Sequence, residues 1–305
     1  MYVTLEPCAH QGRQPPCVEA ILEAGIGRVV IASDDPSEKA AGRGPGILRD
    51  GGVEVAFAAG AEATAARRLT QPFRKHARTG LPFVVLKMAM SLDGQTTTAP
   101  GDSPWISAPE SQELVHKWRS ESDAIAIGIG TALADDPLLT ARIEGARQPK
   151  RIVFDSQARL PLGSQLLKTL DQSSVLVITA PDAPADRVSA LKEAGAEIIT
   201  APDIEAALRE LGRQEITSLF LEGGQTLASA FVSSDLIDES RTFIAPMLLG
   251  SQPNSGPRVG GDDREDSPGR GSPRSETGPA RQNALRSSTK SIGPDTLIKS
   301  TFKEW

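Results

Sequence analysis

Short apolar runs and amphipathic segments alternate along this chain from its start to Gly250. "MYVTLE" and "RVVIAS" are typical of strands. "PPCVEAILEAG" opens with prolines, carries apolar residues at helical spacing and ends at Gly25, as a helix with a glycine cap does. "GILRDGGVEVAF" then indicates a helix, a glycine turn and another strand. This β-α-β-α-β order predicts an α/β fold with mostly parallel strands.

A second α/β run begins at "LPFVVLKMAMSLDG". It continues through the strand patterns "AIAIGIG", "KRIVFDS", "SSVLVITA", "EIIT" and "SLFLEGG", with helices such as "ADRVSALKEAG" and "DIEAALRELGRQ" between them. The charged, proline-bounded stretch "AARRLTQPFRKHARTGLP" separates the two runs. We therefore predict one domain over residues 1–78 and a larger one over residues 79–250.

The composition changes abruptly at Ser251. Residues 251–291 contain no aromatic side chain and are dominated by Gly, Pro, Ser and Arg. Such a segment cannot bury enough apolar surface to offset the entropy lost on ordering, so we predict disorder there. The pattern "IGPDTLIKSTFKEW", residues 292–305, predicts a closing strand. Two hypotheses explain the segment: a reading frame lost near Ser251 and restored near Ile292, or a natural insertion.

Charge and cysteine content limit the partners. The formal net charge is −6 and no face-sized cluster of Lys and Arg occurs, which argues against nucleic acid as the partner. No secretory signal is visible, and the longest apolar run, "AIAIGIGTALA", is too short to span a bilayer. We expect a cytoplasmic protein in which thiols stay reduced. The two cysteines are then metal ligands or core residues rather than a disulfide.

Both cysteines lie in "EPCAHQGRQPPC". A thiolate binds metal, and Cys17 lies at the predicted start of a helix, where the pKa of a thiol falls. A catalytic zinc has three protein ligands and one water. Zinc nucleobase deaminases use a His-x-Glu element followed by Pro-Cys and a second cysteine, and "LEPC" and "PPC" match the second half of that pattern.

The stretch "TLEPCAHQGRQPPC", with "AILEAGIGRVVIASDDP" and "GRGPGILRDGGVEV" after it, resembles the deaminase domain of the RibD family of bifunctional riboflavin-biosynthesis enzymes. The resemblance implies a truncated cytidine-deaminase-like domain in which Cys8 and Cys17 are zinc ligands and His10 lies in a substrate-facing loop. The His-Ala-Glu element of the family precedes this motif, and Cys8 is preceded by only seven residues in this sequence. We therefore expect two of the three zinc ligands and loss of deamination.

Several polar or aromatic residues in the second run have an ordinary structural interpretation. Lys87 can simply flank a core strand, and Arg119 can be a solvated charge on a helix. Trp105 either packs in the core or offers a flat surface to a heterocycle. "GIGTALADDPLLTAR" places Thr131, the Asp135–Asp136 pair and Arg142 after a glycine-rich strand end. This is either a turn capped by an aspartate or a place where polar groups converge on a ligand.

"FLEGGQTLASAF" predicts a strand, Glu222, two glycines and then a helix. Amide groups at a helix N-terminus favour a phosphate, although a Gly-Gly pair before a helix is weak evidence alone. No GxGxxG fingerprint occurs, so an ordinary Rossmann site is not predicted.

Taken in order, "LKMAMSLDG", "WIS", "GTALADDPLLTAR", "DS" and "LEGGQTLASAF" resemble the reductase domain of the same RibD family. The resemblance implies a dihydrofolate-reductase-like fold and an NADPH-dependent hydride transfer. That transfer would convert the ribosyl group of a phosphoribosylamino-pyrimidine to the ribityl form. Asp135 becomes the candidate proton donor or orienting group.

The same resemblance implies two sets of binding residues. Those for NADPH are Ala89, Trp105, Thr131, Asp135, Ser156, Gly224, Gln225, Thr226, Leu227, Ala228, Ser229 and Ala230. Those for the phosphorylated pyrimidine are Ser103, Arg119, Leu139, Arg142 and Glu222, together with His10 in the first domain. The arginines suit a phosphate because guanidinium groups are planar and always charged.

Three hypotheses follow for the whole chain. The first is a RibD-type enzyme with an intact reductase half and a truncated deaminase half. The second is a reductase alone, with residues 1–78 acting as a packing or dimer module, which leaves a homo-oligomer open. The third is a non-catalytic protein whose cysteines bind structural zinc.

Overall fold

The computed structural model describes residues 1–12, 14–38, 40, 42–97, 106–250 and 282–305. These residues form two compact units. Unit 1 comprises residues 1–83, 211–217 and 304–305. Unit 2 comprises residues 84–210 and 218–303.

Unit 1 is built around a small parallel sheet. In its described residues the strand order is β1-β2-β3, with β1 against β2 and β2 against β3 in parallel register. The strands are β1 (Tyr2–Val3), β2 (Arg28–Ile31) and β3 (Glu54–Phe57). The helices are α1 (Cys17–Glu23), α2 (Arg43–Asp50), α3 (Gly60–Leu69) and α4 (Gln71–Thr79). The predicted α/β alternation of this segment is confirmed, although β1 is shorter than its pattern.

The core of unit 1 lies between this sheet and the first two helices. Val29 and Ile31 of β2 are fully buried, as is Leu48 of α2. Val18 and Ile21 of α1 complete the same apolar cluster. These residues are the apolar positions of the helical and strand patterns, so patterning alone specifies this layer.

The two compact units divide the chain differently from the predicted boundary at residue 78. Unit 1 continues to Phe83 and gains two segments that are distant in sequence. Polar side chains of α4 hold these segments: Arg74 Nε donates to the carbonyl of Trp305 at 2.6 Å, and the ring of His76 contacts the carbonyl of Gly212 at 2.9 Å. Buried polar contacts between distant segments leave no periodic signal in the sequence, which is why a contiguous boundary was predicted.

Unit 2 is a larger α/β layer. Its strands are β4 (Phe83–Ser91), β5 (Ala124–Gly128), β6 (Lys150–Phe154), β7 (Val175–Thr179), β8 (Glu197–Thr200), β9 (Ser218–Leu221), β10 (Glu239–Ala245), β11 (Arg286–Ile292) and β12 (Asp295–Thr301). Its helices are α5 (Pro109–Glu121), α6 (Ile129–Asp135), α7 (Gln165–Lys168), α8 (Ala185–Glu193), α9 (Ile204–Arg213) and α10 (Gln225–Ser233). The last residues of α9 belong to unit 1.

These strands form one mixed sheet, which within the described residues has nine strands in the order β11-β12-β10-β4-β9-β5-β6-β7-β8. Strands β9, β5, β6, β7 and β8 pair in parallel, as β10 does with β4, whereas β12 runs antiparallel to β10 and to β11. Strands β5 and β7 are buried at nearly every position, as expected where helices cover both faces of a parallel sheet. The predicted α/β class with mostly parallel strands is confirmed.

Residues 286–291 correct the predicted disordered stretch. They form β11, which pairs along its whole length with β12. Most of its side chains are exposed and polar, so backbone hydrogen bonds rather than apolar burial hold it, and composition does not reveal such a strand. Residues 282–285, just before β11, form no helix or strand, and residues 251–281 fall outside the described residues.

One helix differs from the sequence interpretation. The segment after β5 was interpreted as a strand end followed by a turn, but residues 129–135 form α6.

Across the described ranges, no helix combines the length and apolarity needed to cross a bilayer.

Candidate functional site

Three of the predicted site residues follow strand ends at one edge of the large sheet. β5 ends at Gly128, β6 at Phe154 and β9 at Leu221. Because β5 pairs in parallel with both β6 and β9, their carboxyl ends share an edge. Thr131, Ser156 and Glu222 therefore follow strands that end at this edge, where α/β proteins bind ligands.

Arg119 and Glu222 form the central ion pair of this site. Arg119 Nε lies 2.7 Å from Glu222 Oε1, and its Nη2 lies 3.0 Å from Oε2. The two side chains are only 11% and 10% exposed. A two-point guanidinium–carboxylate contact fixes both groups in orientation as well as distance.

The protonation of Glu222 is set by this pair. Burial alone would raise the pKa of Glu222, but the charge of Arg119 and its hydrogen bonds hold the pKa below its usual value. The charge of Lys87 lowers the pKa of Glu222 further, and β4, which carries Lys87, is the neighbour of β9 in the sheet. Lys87, which the sequence allowed as a mere flank of a core strand, therefore belongs to the charge cluster of the site.

The segment from Asp136 to Arg142 has an unusual backbone. Asp136, Leu139 and Arg142 all have positive φ, at 38°, 56° and 51°. A non-glycine residue in this region is strained, and such residues concentrate at functional sites. Arg119 Nη1 donates to the carbonyl of Thr140 at 3.1 Å, so the ion pair and this segment are held together.

Arg151 forms a hydrogen bond with the backbone of the same segment. It is fully buried, and its Nη1 donates to the carbonyl of Leu138 at 3.3 Å and to Thr169 Oγ1 at 2.7 Å. Burial lowers the pKa of Arg151. Since arginine remains charged in proteins, these carbonyl and hydroxyl contacts offset part of the cost of its burial, although its buried Nε has no hydrogen-bond partner among the described residues.

The acidic pair Asp135–Asp136 divides into two roles. Asp136 Oδ1 accepts the backbone N–H of Gln165 at 2.8 Å, so this carboxylate is a structural cap. Asp135, the last residue of α6, is exposed, and partial desolvation raises the pKa of its carboxyl group. Of the two, Asp135 is the one available to a ligand.

The start of α10 approaches α6 closely. Gly224 precedes α10, and its N–H donates to Thr131 Oγ1 at 3.2 Å. A Cβ on Gly224 would lie 3.2 Å from the same hydroxyl, and one on Gly223 would lie 3.0 Å from Leu227 Cδ2. At both positions, glycine allows this close packing because a Cβ would crowd the neighbouring atom. At the next position, Gln225 Nε2 donates to Thr96 Oγ1 at 3.0 Å.

The other predicted NADPH residues have less direct roles. Ala89 is half-buried in β4 opposite Phe243, and the carbonyl of Ser156 accepts the N–H of Ala180. Ala228 is buried, so its side chain faces the core rather than solvent. The first turn of α10 is open to solvent at Gly224, Gln225 and Thr226, and Ser229 is also exposed, whereas Leu227 and Ala230 are half-buried. The predictions for Ser103 and Trp105 fall outside the described residues.

His116 is a neighbour of the site that the sequence interpretation missed. It lies in α5 three residues before Arg119, on the same helix face. Burial lowers the pKa of His116, and the charges of Arg119 and Arg142 lower it further. The signal that could have found it is its spacing from Arg119.

In unit 1, the two cysteines lie together. Cys8 Sγ and Cys17 Sγ are 3.3 Å apart. The hydrogen bond to Cys8 raises the pKa of the Cys17 thiol, and desolvation by burial raises it further. His10, two residues after Cys8, has a buried Nδ1 without a hydrogen-bond partner in the described part of the chain.

The predicted zinc site is not supported. Among the described residues, no group of three or more His, Cys, Asp and Glu side chains is arranged to hold a metal ion. A catalytic zinc needs three protein ligands, and the cysteine pair supplies two. The residues present therefore do not fit the metal, and we derive no chemistry from it.

Fold and site together define an α/β domain with a cluster of charged side chains at the carboxyl edge of its large sheet. The profile described as "RibD C-terminal domain" matches residues 82–264. Over 267 residues the chain is 37% identical to the riboflavin biosynthesis protein RibD of Actinobacillus pleuropneumoniae, covering 86% of this chain and 70% of that protein. The chain belongs to the RibD family and carries its reductase domain, which confirms the family and the enzyme class predicted from sequence.

Solved structures agree with this assignment. The RibD structure from Acinetobacter baumannii superposes with a TM-score of 0.79 at 33% identity, over 99% of this chain and 80% of that one. A Thermotoga maritima protein superposes with a TM-score of 0.77 at 28% identity, over 99% and 79%. That protein is described as a diaminohydroxyphosphoribosylaminopyrimidine deaminase/5-amino-6-(5-phosphoribosylamino)uracil reductase.

Proposed function

We propose that this chain catalyses the NADPH-dependent reduction of 5-amino-6-(5-phosphoribosylamino)uracil in riboflavin biosynthesis, converting its ribosyl group to ribityl. The observation that carries the proposal is the Arg119–Glu222 pair, at 2.7 Å, among further cationic groups at the carboxyl edge of the sheet. The description of the Thermotoga maritima relative supplies the substrate.

The charges of the site suit a phosphorylated substrate. The cations Lys87, Arg119 and Arg142 outnumber the two carboxyl groups assigned to the site, Glu222 and Asp135. Within the described residues, neither Lys87 nor Arg142 forms an ion pair, so both cations are available to a ligand. A phosphate is best held by such groups, and a guanidinium offers it two parallel donors.

Several residues fit NADPH. The first turn of α10 is exposed, and helix N–H groups favour the phosphates of a nucleotide. Thr131 fixes Gly224 next to that turn. When bound there, NADPH supplies the hydride for the reduction.

The chain itself must manage the accompanying proton. Reduction of the ribosyl carbon breaks its bond to the ring oxygen, and that oxygen takes up a proton. Asp135 is the candidate donor because desolvation raises the pKa of its carboxyl group, which increases the fraction that carries a proton. Glu222 is a poor donor, because Arg119 keeps it ionised.

For unit 1 we propose a deaminase-like domain without deaminase activity. Its similarity to relatives extends through the whole chain, since the Thermotoga maritima deaminase/reductase is matched over 99% of it. The described residues offer only the Cys8–Cys17 pair toward a metal, and an activated zinc-bound water needs more.

Separate assays test the two halves. With the phosphoribosylamino-uracil, the chain should consume NADPH and yield the ribitylamino product, and Arg142→Gln should raise the KM for this substrate. With the diamino pyrimidine precursor, it should release no ammonia, and metal analysis should find no stoichiometric zinc. Absence of NADPH consumption contradicts the reductase proposal, and ammonia release contradicts the proposed loss of deamination.

A further inference from the structure

Unit 1 contains a cavity that the proposed reduction does not use. Its volume is about 330 Å³, and every residue that lines it belongs to this unit. Helices α3 and α4 supply most of its wall, and a residue that follows β2 supplies another part. The charged side chains of the wall are four arginines and two acids: Arg67, Arg68, Arg74, Arg78, Asp34 and Glu304.

Arg74 is the buried arginine of this wall, and it joins two parts of the cavity. Its side chain is only 3% exposed. Its Nε donates to the carbonyl of Trp305 at 2.6 Å, and its Nη1 donates to the carbonyl of Asp34 at 2.7 Å. Buried Gln71, on the same helix, accepts the N–H of Trp305 at 2.8 Å and donates to its carbonyl at 3.1 Å. Hydrogen bonds therefore hold the wall in place without a ligand.

The Asp34 carboxylate is already matched to two of the arginines. Arg74 Nη2 lies 3.0 Å from Asp34 Oδ2, and Arg67 Nε lies 3.6 Å from Asp34 Oδ1. Partial burial raises the pKa of Asp34, but the hydrogen bond and the charges of these arginines outweigh it and hold the pKa below its ordinary value. Asp34 is therefore ionised near neutral pH and balances charge at Arg74 and Arg67.

Arg68 and Arg78 remain for a ligand. Both are exposed, and within the described part of the chain neither forms a hydrogen bond or an ion pair. They come from different elements, because Arg68 lies in the last turn of α3 and Arg78 in the last turn of α4. Guanidinium groups that line one cavity from two sides suit a phosphate, since each offers it parallel N–H donors.

The size of the cavity sets the class of ligand. Small-molecule sites have volumes of roughly 300–1,000 Å³, so this cavity has room for a phosphate together with a small organic group. Thr64 and Trp305 also line it and offer that group a hydroxyl and an aromatic surface. We propose that the cavity is a second anion site, in which Arg68 and Arg78 bind the phosphate of a small phosphate monoester.

Calorimetric titration of the whole chain with inorganic phosphate, ribose 5-phosphate and adenosine 5′-monophosphate tests this site. The parent protein carries Arg142→Gln, which weakens phosphate binding at the proposed reductase site. In this parent, Arg68→Gln and Arg78→Gln should each weaken ester binding about tenfold, the loss typical of one charge-assisted contact. Both substitutions replace exposed side chains, so the melting temperature should stay close to that of the parent.

Arg49→Gln is the matched control for both variants. Arg49 is exposed and lies in the last turn of α2, in the same unit, but it does not line the cavity. The substitution therefore makes the same change in net charge and removes the same favourable contact with a helix C-terminus. The ester affinity of this control should equal that of the parent.

Tryptophan fluorescence reports where the ester binds. Trp305 lines the cavity, so binding there should change the fluorescence, and Trp305→Phe should remove the change. Tighter binding of ribose 5-phosphate than of the nucleotide supports a sugar phosphate as the ligand, and the opposite order supports a nucleotide. Both orders support a monoester site.

Three results overturn the proposal. Equal ester affinities in the parent, Arg68→Gln and Arg78→Gln would leave these arginines only the role of compensating the negative ends of α3 and α4. Failure of the parent to bind either ester excludes the site, and inorganic phosphate bound as tightly as both esters excludes the monoester. These titrations measure binding without NADPH consumption, so their outcome is independent of the proposed reductase activity.

Discussion

Arg119 and Glu222 are joined through both guanidinium–carboxylate contacts, at 2.7 and 3.0 Å, although their positions differ by 103 residues in sequence. The pair links α5 to the end of β9. It thereby sets the positions of the cations around it. Because the pair is buried, loss of either side chain would leave the other charge buried without its partner.

Arg119→Met should destabilise the protein strongly, because it leaves the Glu222 carboxylate buried without its partner. Removal of one member of a buried pair typically costs about 3–5 kcal/mol. Denaturant unfolding measures the loss. Lys117→Met on the same helix is the control: its contact with Glu121 is 3.9 Å long and exposed, so its loss should cost less than about 1 kcal/mol. Equal losses in the two variants would contradict the importance of the buried pair.

The stability of the protein should depend on pH through Glu222. The pKa of Glu222 lies below its ordinary value of 4.5 in the folded state, so folding favours the ionised form. This contribution is complete above pH 4.5 and is lost as the pH falls through the lowered folded-state pKa. Glu222→Gln should flatten the acid side of the curve of unfolding free energy against pH. An unchanged acid slope in this variant would argue against the assignment.

Asp135→Asn should lower kcat by about 10²-fold or more, because it removes the candidate proton donor. The KM for NADPH should change little. Steady-state kinetics with both substrates measures the two effects. Asp136→Asn provides the comparison, since an asparagine oxygen can still accept the N–H of Gln165. Should both variants lose the same activity, a specific role for Asp135 is excluded.

Gly224→Ala should raise the KM for NADPH about fivefold to tenfold, equivalent to ~1 kcal/mol of lost binding. The added Cβ would lie 3.2 Å from Thr131 Oγ1 and push the start of α10 away from α6. Fluorescence titration of NADPH measures the change. Gly130→Ala is the control, because its Cβ would meet open space. Unaltered NADPH affinity in Gly224→Ala would show that this close approach is dispensable.

Asp295→Ala should destabilise unit 2 by about 2 kcal/mol, near the upper end for loss of a helix cap. The buried Asp295 carboxylate accepts the N–H of Ala108 at 2.8 Å and the hydroxyl of Ser111 at 2.6 Å, at the start of α5. Thermal melting compares this variant with Asp182→Ala, an exposed aspartate. Comparable melting temperatures for the two would refute the cap.

Periodicity predicted the layers of this fold well, because strands β2, β5, β6 and β7 bury the apolar residues that define their patterns. It did not predict α6, whose glycines and single turn of apolar residues resemble a strand end. It also missed β11, because backbone pairing holds that strand while its side chains stay polar. Boundaries between units were missed where buried polar contacts of α4, rather than composition, determine them.

Motifs in the sequence predicted some of the candidate site residues. Contacts that depend on the tertiary structure could not be predicted from local patterns. Arg119, Glu222 and Arg142 followed from motif resemblance. The proximity of Lys87 to Glu222 depends on the neighbouring positions of β4 and β9 in the sheet, which no local pattern encodes. The role of Asp136 as a cap for Gln165 likewise depends on a contact 29 residues away.

The contact between Ser111 and Asp295 bridges 184 residues, and this separation bears on how the protein is made. During translation, α5 leaves the ribosome long before the carboxylate that completes its first turn has been synthesised. Nascent chains that lack the final hairpin should therefore present Arg119 and His116 on a frayed helix. Catalytic competence would then arise late, when the last hairpin folds back onto the sheet.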